Sequence, residues 1–191
     1  MGIYLNPENV DFQKSLNSEI YIDKTELIAY TNKKLNTEQG YICVSRPRRF
    51  GKSMAVNMLT AYYSRGCDSR ELFQGLKIAT HPDFEKHLNQ YNVIHLNMRD
   101  YLTESENMKQ LIQFVEDDLL DELQQEFSDL RMPRRKTLVK VLEQAFAQYK
   151  IPFVFIIDEW DCIFRVHKSD AASQKDYLDF LRNLLKDKSY I

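Results

Sequence analysis

The chain of 191 residues lacks the features of several specialised protein classes. Five glycines and five prolines stand beside eleven phenylalanines and eleven tyrosines, a composition that argues against disorder and low complexity. No apolar stretch approaches the length needed to cross a bilayer, and the N-terminus has no signal-peptide pattern. We therefore expect a cytoplasmic globular protein with no membrane partner.

Cysteine is also scarce, and neither sign of charge dominates. Cys43, Cys67 and Cys162 form no C-x-x-C pair or Cys/His cluster, which argues against a structural zinc site. The formal net charge of −2 provides no general attraction for nucleic acid. Hydrophobic residues make up 43% of the chain, which is enough for a sizeable core in one domain or slightly more.

The most informative stretch that is present joins an apolar run to a helical pattern through a basic loop. Residues 41–53 read YICVSRPRRFGKS. The pattern predicts a strand at 41–45, a loop at 46–51 and a helix at 52–64. In this strand–loop–helix order, the start of the helix is a place where proteins bind phosphate.

Gly51, Lys52 and Ser53 supply the groups that a bound polyphosphate needs. Glycine lets the backbone approach the phosphate, lysine reaches its outer oxygens, and the serine hydroxyl holds Mg²⁺. Arg46 stands where the common phosphate-loop pattern, Walker A, has its first glycine. The triplet by itself is therefore also compatible with an ordinary strand–turn–helix joint that has a basic loop.

A second motif lies further along the chain, where residues 151–161 read IPFVFIIDEWD. Its apolar run at 153–157 predicts a strand buried on both faces, as in a parallel sheet. Asp158 would bind Mg²⁺ at the end of that strand, and Glu159 would polarise an attacking water. Alone, the two carboxylates favour a solvated strand end. Together with Lys52 they predict one pocket for a magnesium nucleoside triphosphate.

Other periodic segments complete the prediction of an α/β fold. A strand is predicted at 91–98, and helices at 106–130, 137–149 and 174–187. The alternation of strands and helices indicates a mainly parallel sheet covered by helices on both faces.

Three groups of charged residues have structural explanations. Asp23 and Glu26 resemble a capping box at the start of a helix. The basic run at 131–136 is expected to be a surface turn. The acidic positions of the helix at 106–130 are expected to form a solvated face; they are residues 116–118, 121–122 and 126.

Six stretches together resemble the AAA-ATPase-like family of bacterial proteins. They are YIDKTELI at 21–28, SRPRRFGKSM at 45–54, ELFQGLKI at 71–78, NVIHLNM at 92–98, FIIDEWD at 155–161 and YLDFLRNLLKD at 177–187. Arg46 in place of glycine is part of this resemblance. The family implies a P-loop NTPase-type three-layer α/β/α fold that binds ATP and Mg²⁺ and hydrolyses ATP. Its members often carry a PD-(D/E)xK nuclease-like domain further along the chain.

The resemblance implies a role for each residue of the two motifs. The catalytic residues would be Lys52 and Glu159, and the metal ligands Ser53 and Asp158, the latter in a Walker B motif. The nucleotide contacts would be Arg48, Arg49, Phe50, Gly51, Lys52, Ser53 and Met54. For Arg48 and Arg49, a bidentate grip on phosphate and a solvated loop are equally good explanations.

The resemblance also implies a domain organisation. Residues 1–40 would be an N-terminal extension, and residues 41–191 a partial P-loop ATPase domain truncated before the strand that carries the sensor residue. Without that strand, two apolar strands would have unpaired backbone groups between them. Either the remainder belongs to a longer protein or another chain supplies it, and a homo-oligomer is a further expectation.

Three functions stay open at this point. The first is an ATPase module that couples nucleotide state to an attached effector domain. The second is a module that senses ATP without hydrolysing it, in which Lys52 is needed and Glu159 is dispensable. The third is a nucleic-acid-binding protein whose contact surface would be Arg46, Arg48, Arg49 and the run at 131–136.

Overall fold

The computed structural model describes residues 2–45, 50–186 and 188–191. The helices are α1 (Val10–Leu16), α2 (Glu26–Asn32), α3 (Lys52–Tyr63), α4 (Arg70–Phe73), α5 (Phe84–His87), α6 (Met98–Glu104), α7 (Met108–Glu126), α8 (Leu138–Tyr149), α9 (Cys162–Val166) and α10 (Ala171–Leu185), with a 3₁₀ helix at Lys77–Thr80. The strands β1 (Asn92–Asn97) and β2 (Phe153–Asp158) form a small parallel sheet. The chain is thus an α/β protein.

The chain divides into two compact units that interleave in sequence. Unit 1 is Asn6–Val93, and unit 2 combines Gly2–Leu5 with Ile94–Ile191. The first residues belong to unit 2 because Leu5 forms an antiparallel bridge with Ile94 of β1. Unit 2 therefore combines two segments that are separated in sequence by the whole of Asn6–Val93.

The core of unit 1 is a cluster of aromatic rings around the last turn of α3. Ring centroids are 5.0 to 5.8 Å apart in the pairs Phe12–Phe73, Tyr62–Phe73, Tyr62–Phe84 and Tyr63–Tyr91. The two buried tyrosine hydroxyls of α3 have hydrogen-bond partners: Tyr62 donates to the Phe84 carbonyl at 2.7 Å, and Tyr63 donates to Asn32 Oδ1 at 2.7 Å. These bonds fix the C-terminal end of α3, while its first turn reaches the surface.

The core of unit 2 forms where one face of α7 packs against β2, α8 and α10. It includes Leu111, Val115, Leu119 and Leu123 of α7, Val141 and Leu142 of α8, Phe153 of β2, and Tyr177 and Leu184 of α10. The spacing of the α7 residues follows the helical repeat, which produces one continuous apolar stripe. Burial of Phe153 at the start of β2 fixes the strand whose other end is acidic.

Glu122 of α7 is a structural residue of unit 2. Its carboxylate oxygens accept hydrogen bonds from three consecutive backbone N–H groups, those of Ile3–Leu5, at 2.6, 3.0 and 2.6 Å. Asp118, also on α7, accepts a hydrogen bond of 3.0 Å from the Tyr101 hydroxyl of α6. The prediction of a purely solvated acidic face is therefore wrong at Glu122 and Asp118, because both carboxylates accept hydrogen bonds from distant parts of the sequence.

Replacing Glu122 by glutamine is expected to lower the free energy of unfolding by about 1.5–3 kcal/mol, because hydrogen bonds to a charged acceptor contribute that much. A neutral amide keeps one acceptor oxygen for the three N–H groups of Ile3–Leu5. Urea unfolding followed by fluorescence of Trp160, the single tryptophan, measures the change. The matched control is Asp121→Asn at the exposed neighbouring position, expected to change stability by less than about 0.5 kcal/mol. Equal effects of the two substitutions would contradict the assigned role of Glu122.

Most sequence-predicted elements are confirmed. The segments at 52–64, 91–98, 106–130, 137–149, 153–157 and 174–187 correspond to α3, β1, α7, α8, β2 and α10. The predicted burial of β2 on both faces is wrong, since Phe153 and Ile156 are buried but the other residues of the strand are partly exposed. The described sheet has two strands, so β2 has fewer neighbouring strands and helices to bury it than it would have in a wide sheet.

The strand predicted at 41–45 is wrong. These residues have no regular secondary structure, and Tyr41 and Val44 are 59% and 51% exposed. An apolar segment becomes a strand only where a neighbouring strand offers N–H and C=O groups to it. Within the described residues, no strand lies along this segment.

Candidate functional site

The Gly51-Lys52-Ser53 triplet lies at the start of α3 in unit 1. Gly51 occupies the N-cap position with φ 72° and ψ 34°, a left-handed conformation that glycine adopts without steric cost. Lys52 is half-buried and Ser53 is exposed. Because the first N–H groups of a helix have no intrahelical acceptor, this turn is able to donate hydrogen bonds to an anion.

The other predicted nucleotide contacts flank this triplet. Phe50 is 60% exposed and Met54 is 36% exposed, so apolar side chains border the turn at the surface. Arg48 and Arg49 lie outside the described residues. The predicted nucleotide contacts that the structure describes are therefore Phe50 and Gly51, which precede α3, and the first three residues of that helix.

The second motif lies at the end of β2 in unit 2. Asp158 is the last residue of the strand, and its Oδ1 accepts a hydrogen bond of 2.9 Å from the Glu159 backbone N–H. Glu159 has φ 50°, which is uncommon for a residue with a side chain. Such strained backbone is often found at functional sites, where the surrounding structure maintains it.

Arg165 of α9 holds the Glu159 carboxylate in an ion pair. The same guanidinium lies 3.5 Å from Asp161 Oδ1. The hydrogen bond to Glu159 raises the pKa of Arg165 above its ordinary value. The arginine therefore stays charged and keeps the side chain of the candidate base in one orientation.

The turn that follows Glu159 is fixed from α10. The Tyr177 hydroxyl donates to the Trp160 carbonyl at 3.0 Å. Burial raises the pKa of Tyr177, so the hydroxyl stays protonated and remains a donor over the physiological pH range. Both the backbone and the side chain of the acidic motif thus have defined positions within unit 2.

Comparison with protein families gives one match. A model of the family described as predicted AAA-ATPase matches residues 10–189, nearly the whole chain. The chain belongs to the AAA-ATPase-like family. Searches of curated proteins and of solved structures gave no match. Family membership confirms the resemblance seen in the sequence and supports nucleotide binding by this AAA-ATPase-like protein.

Two residues near the motifs of this AAA-ATPase-like protein are not among the predicted site residues. Arg165 pairs with Glu159, and its position four residues after Asp161 on a helix was the available signal. Lys24 donates a hydrogen bond of 2.9 Å to the Phe50 carbonyl, at the phosphate loop. The sequence shows only that Lys24 lies between two polar residues, which does not reveal a contact across 26 positions.

The capping box predicted from Asp23 is wrong. Helix α2 begins at Glu26, and Thr25 occupies its N-cap position without a side-chain cap. The Asp23 carboxylate instead accepts hydrogen bonds from Thr25 and from the Lys77 N–H. Burial opposes ionisation of Asp23, but these hydrogen bonds outweigh it and hold the pKa of Asp23 below its ordinary value.

The two predicted metal ligands, Ser53 and Asp158, lie in different units, and each carries an oxygen donor. Within the described residues, no three His, Cys, Asp or Glu side chains converge to hold a metal by themselves. Mg²⁺ in nucleotide sites takes one or two protein ligands and completes its shell with phosphate oxygens and water. A serine hydroxyl and an aspartate carboxylate are oxygen donors of the kind that such an ion accepts. Of the helices described, none is both long and apolar enough to span a bilayer.

Proposed function

We propose that this AAA-ATPase-like chain binds ATP with Mg²⁺, hydrolyses it, and couples its nucleotide state to an attached effector domain. The observation that carries the proposal is the turn at Gly51, Lys52 and Ser53, which begins a helix in a chain whose family is predicted to be ATPases. A left-handed glycine followed by an ammonium and a hydroxyl meets the chemical needs of a triphosphate.

On the phosphate side, Lys52 would neutralise the outer phosphate oxygens while N–H groups of the first turn of α3 donate to them. The Ser53 hydroxyl would be one ligand of the metal ion, which supplies further charge neutralisation when bound. The remaining proposed nucleotide contacts are Arg48, Arg49, Phe50 and Met54.

On the acidic side, Asp158 would be the second protein ligand of the metal ion. Glu159 would accept a proton from a water molecule as the water oxygen attacks the γ-phosphorus. The bond from that phosphorus to the β–γ bridging oxygen then breaks, leaving ADP and inorganic phosphate. The charge that develops on the transferring group would be stabilised by Lys52.

The same proposal includes the organisation expected from the family. Residues 1–40 would be an N-terminal extension, and residues 41–191 part of a three-layer α/β/α ATPase domain in a cytoplasmic protein. A C-terminal nuclease-like domain or a second copy of the chain would be its partner. Family membership and the parallel pairing of β1 with β2 support this organisation.

Removing the Lys52 ammonium tests the proposal. Lys52→Ala is expected to weaken binding of a fluorescent ATP analogue by about 10- to 100-fold, because a charge-assisted hydrogen bond contributes about 1.5–3 kcal/mol. Fluorescence anisotropy at fixed Mg²⁺ and salt measures the dissociation constant. Phosphate release by the same samples is expected to fall, and chelation of Mg²⁺ is expected to abolish it.

The control for this test is Lys14→Ala. Lys14 is an exposed lysine of α1 whose partner is Asp11, so its removal deletes the same charge elsewhere in unit 1. We expect its nucleotide affinity to equal that of the unchanged protein. Unchanged affinity in Lys52→Ala as well would refute the proposed function.

A second candidate function is sensing of ATP without turnover. The observation that favours it is the ion pair between Glu159 and Arg165, because the guanidinium occupies Oε2, a carboxylate oxygen that an attacking water molecule would otherwise use. Tight ATP binding with no phosphate release would establish this alternative.

A further inference from the structure

The segment Asp23–Thr25 is anchored to the 3₁₀ helix of unit 1. Asp23 Oδ1 accepts from the Thr25 N–H at 2.8 Å and from the Thr25 hydroxyl at 2.7 Å. Asp23 Oδ2 accepts from the Lys77 N–H at 2.8 Å, and the Ile78 N–H donates to Thr25 Oγ1 at 3.1 Å. Thr25 is completely buried. The residue between the two anchors, Lys24, therefore has a fixed backbone.

From this fixed position the exposed side chain of Lys24 reaches the phosphate loop. Its Nζ donates to the Phe50 carbonyl at 2.9 Å, and it lies 2.9 Å from where a Cβ on Gly51 would stand. A lysine ammonium donates up to three hydrogen bonds, and the described residues account for one of them. The Lys24 ammonium thus contacts the peptide group between Phe50 and Gly51, directly before the first turn of α3.

A loop that binds phosphate must present N–H groups to the ligand and turn its carbonyl oxygens away, because a carbonyl dipole repels an anion. The Phe50 carbonyl immediately precedes Gly51, whose left-handed conformation begins the turn. A donor that holds this carbonyl fixes the orientation of the Phe50–Gly51 peptide. An ammonium at this place also adds positive potential beside the loop.

We propose that Lys24 is a positioning residue of the phosphate loop, which it holds through the Phe50 carbonyl. This inference rests on the proposed nucleotide-binding function of the loop. It makes the segment Asp23–Thr25, which belongs to the proposed N-terminal extension, part of the binding machinery. The anchored turn at Thr25 and the loop at Gly51 are then linked through the hydrogen bond from Lys24 to Phe50.

The test compares Lys24→Met, which keeps the length of the side chain and removes the donor, with Lys24→Arg, which keeps a cationic donor. Lys24→Met is expected to weaken binding of a fluorescent ATP analogue by about tenfold, the effect of one hydrogen bond from a charged donor. Lys24→Arg is expected to stay within about threefold of the unchanged protein. Amide hydrogen exchange across 50–54 is expected to accelerate in Lys24→Met only.

Thermal unfolding separates positioning from general stabilisation. Because Lys24 is exposed, both variants are expected to melt at the temperature of the unchanged protein. Full affinity in Lys24→Met, beside lost affinity in Lys52→Ala, would overturn this inference and leave the proposed function intact. Full affinity in both would refute the function itself. A lowered melting temperature in Lys24→Met, with no recovery of affinity in Lys24→Arg, would show a merely structural lysine and overturn the inference.

Discussion

Replacing Glu159 by glutamine is expected to slow phosphate release by roughly 10²- to 10⁴-fold, the contribution of a well-placed general base. The affinity for ATP is expected to stay the same, since the amide has almost the shape of the carboxylate and Glu159 acts on water rather than on the nucleotide. Single-turnover phosphate release and anisotropy titration measure the two quantities on the same samples.

The matched control for this change is Asp161→Asn. Both Asp161 and Glu159 face the guanidinium of Arg165, and Asp161 Oδ1 lies 3.5 Å from it. Asp161→Asn therefore removes one negative charge from the surroundings of Arg165, as Glu159→Gln does. We expect phosphate release by Asp161→Asn to remain near the rate of the unchanged protein. If Glu159→Gln releases phosphate as fast as Asp161→Asn, Glu159 is not the base. If ATP binds but neither the unchanged protein nor the variants release phosphate, the sensing function is correct.

Truncation of Phe153 is expected to produce the largest loss of stability. Its side chain is 1% exposed, and its ring lies 6.4 Å from that of Phe127 and 6.1 Å from that of Tyr190. Phe153→Ala should therefore lower the free energy of unfolding by about 3–5 kcal/mol, through lost burial and the cavity left behind. That is a large part of the roughly 5–15 kcal/mol by which domains are stable.

Urea unfolding followed by Trp160 fluorescence measures the effect in unit 2. The control is Val166→Ala, an apolar truncation on α9 at a side chain that is 65% exposed, expected to cost less than about 0.5 kcal/mol. We also expect Phe153→Ala to lose phosphate release on warming before the control does, because β2 carries Asp158. Coincident unfolding curves for the two variants would show that β2 does not depend on this aromatic contact.

The elements that the sequence predicts correctly are those with a strong local signal. Helices α7, α8 and α10 each bury one periodic stripe, so the repeat of apolar residues is enough to locate them. The strand prediction at 41–45 fails because composition records only the tendency of a segment to be buried. Strand formation also depends on a neighbour, whose presence no local pattern reveals.

For the candidate functional residues, too, the prediction succeeds where the signal is local and fails where the role depends on a distant partner. Within the triplet at Gly51, and within the acidic end of β2, the residues follow one another directly along the chain, so their residue types reveal each motif. The roles of Lys24 and Glu122 depend on folding, because their partners Phe50 and Leu5 lie 26 and 117 positions away. Arg165 pairs with Glu159 only six positions before it, where Asp161 at i−4 was the one local signal. Lysine, arginine and glutamate are common at protein surfaces, so the residue type alone favours a solvated position.

The binding of Gly2–Leu5 by Glu122 and Ile94 has a consequence for biosynthesis. Translation delivers Ile3–Leu5 well before Glu122, the acceptor of their N–H groups, which lies 117 to 119 positions later. These N–H groups therefore stay bonded to water until α7 has emerged from the ribosome, and closing so long a loop is slow. A side chain at position 2 in place of glycine would add bulk beside the Glu122 carboxylate and hinder this late docking step.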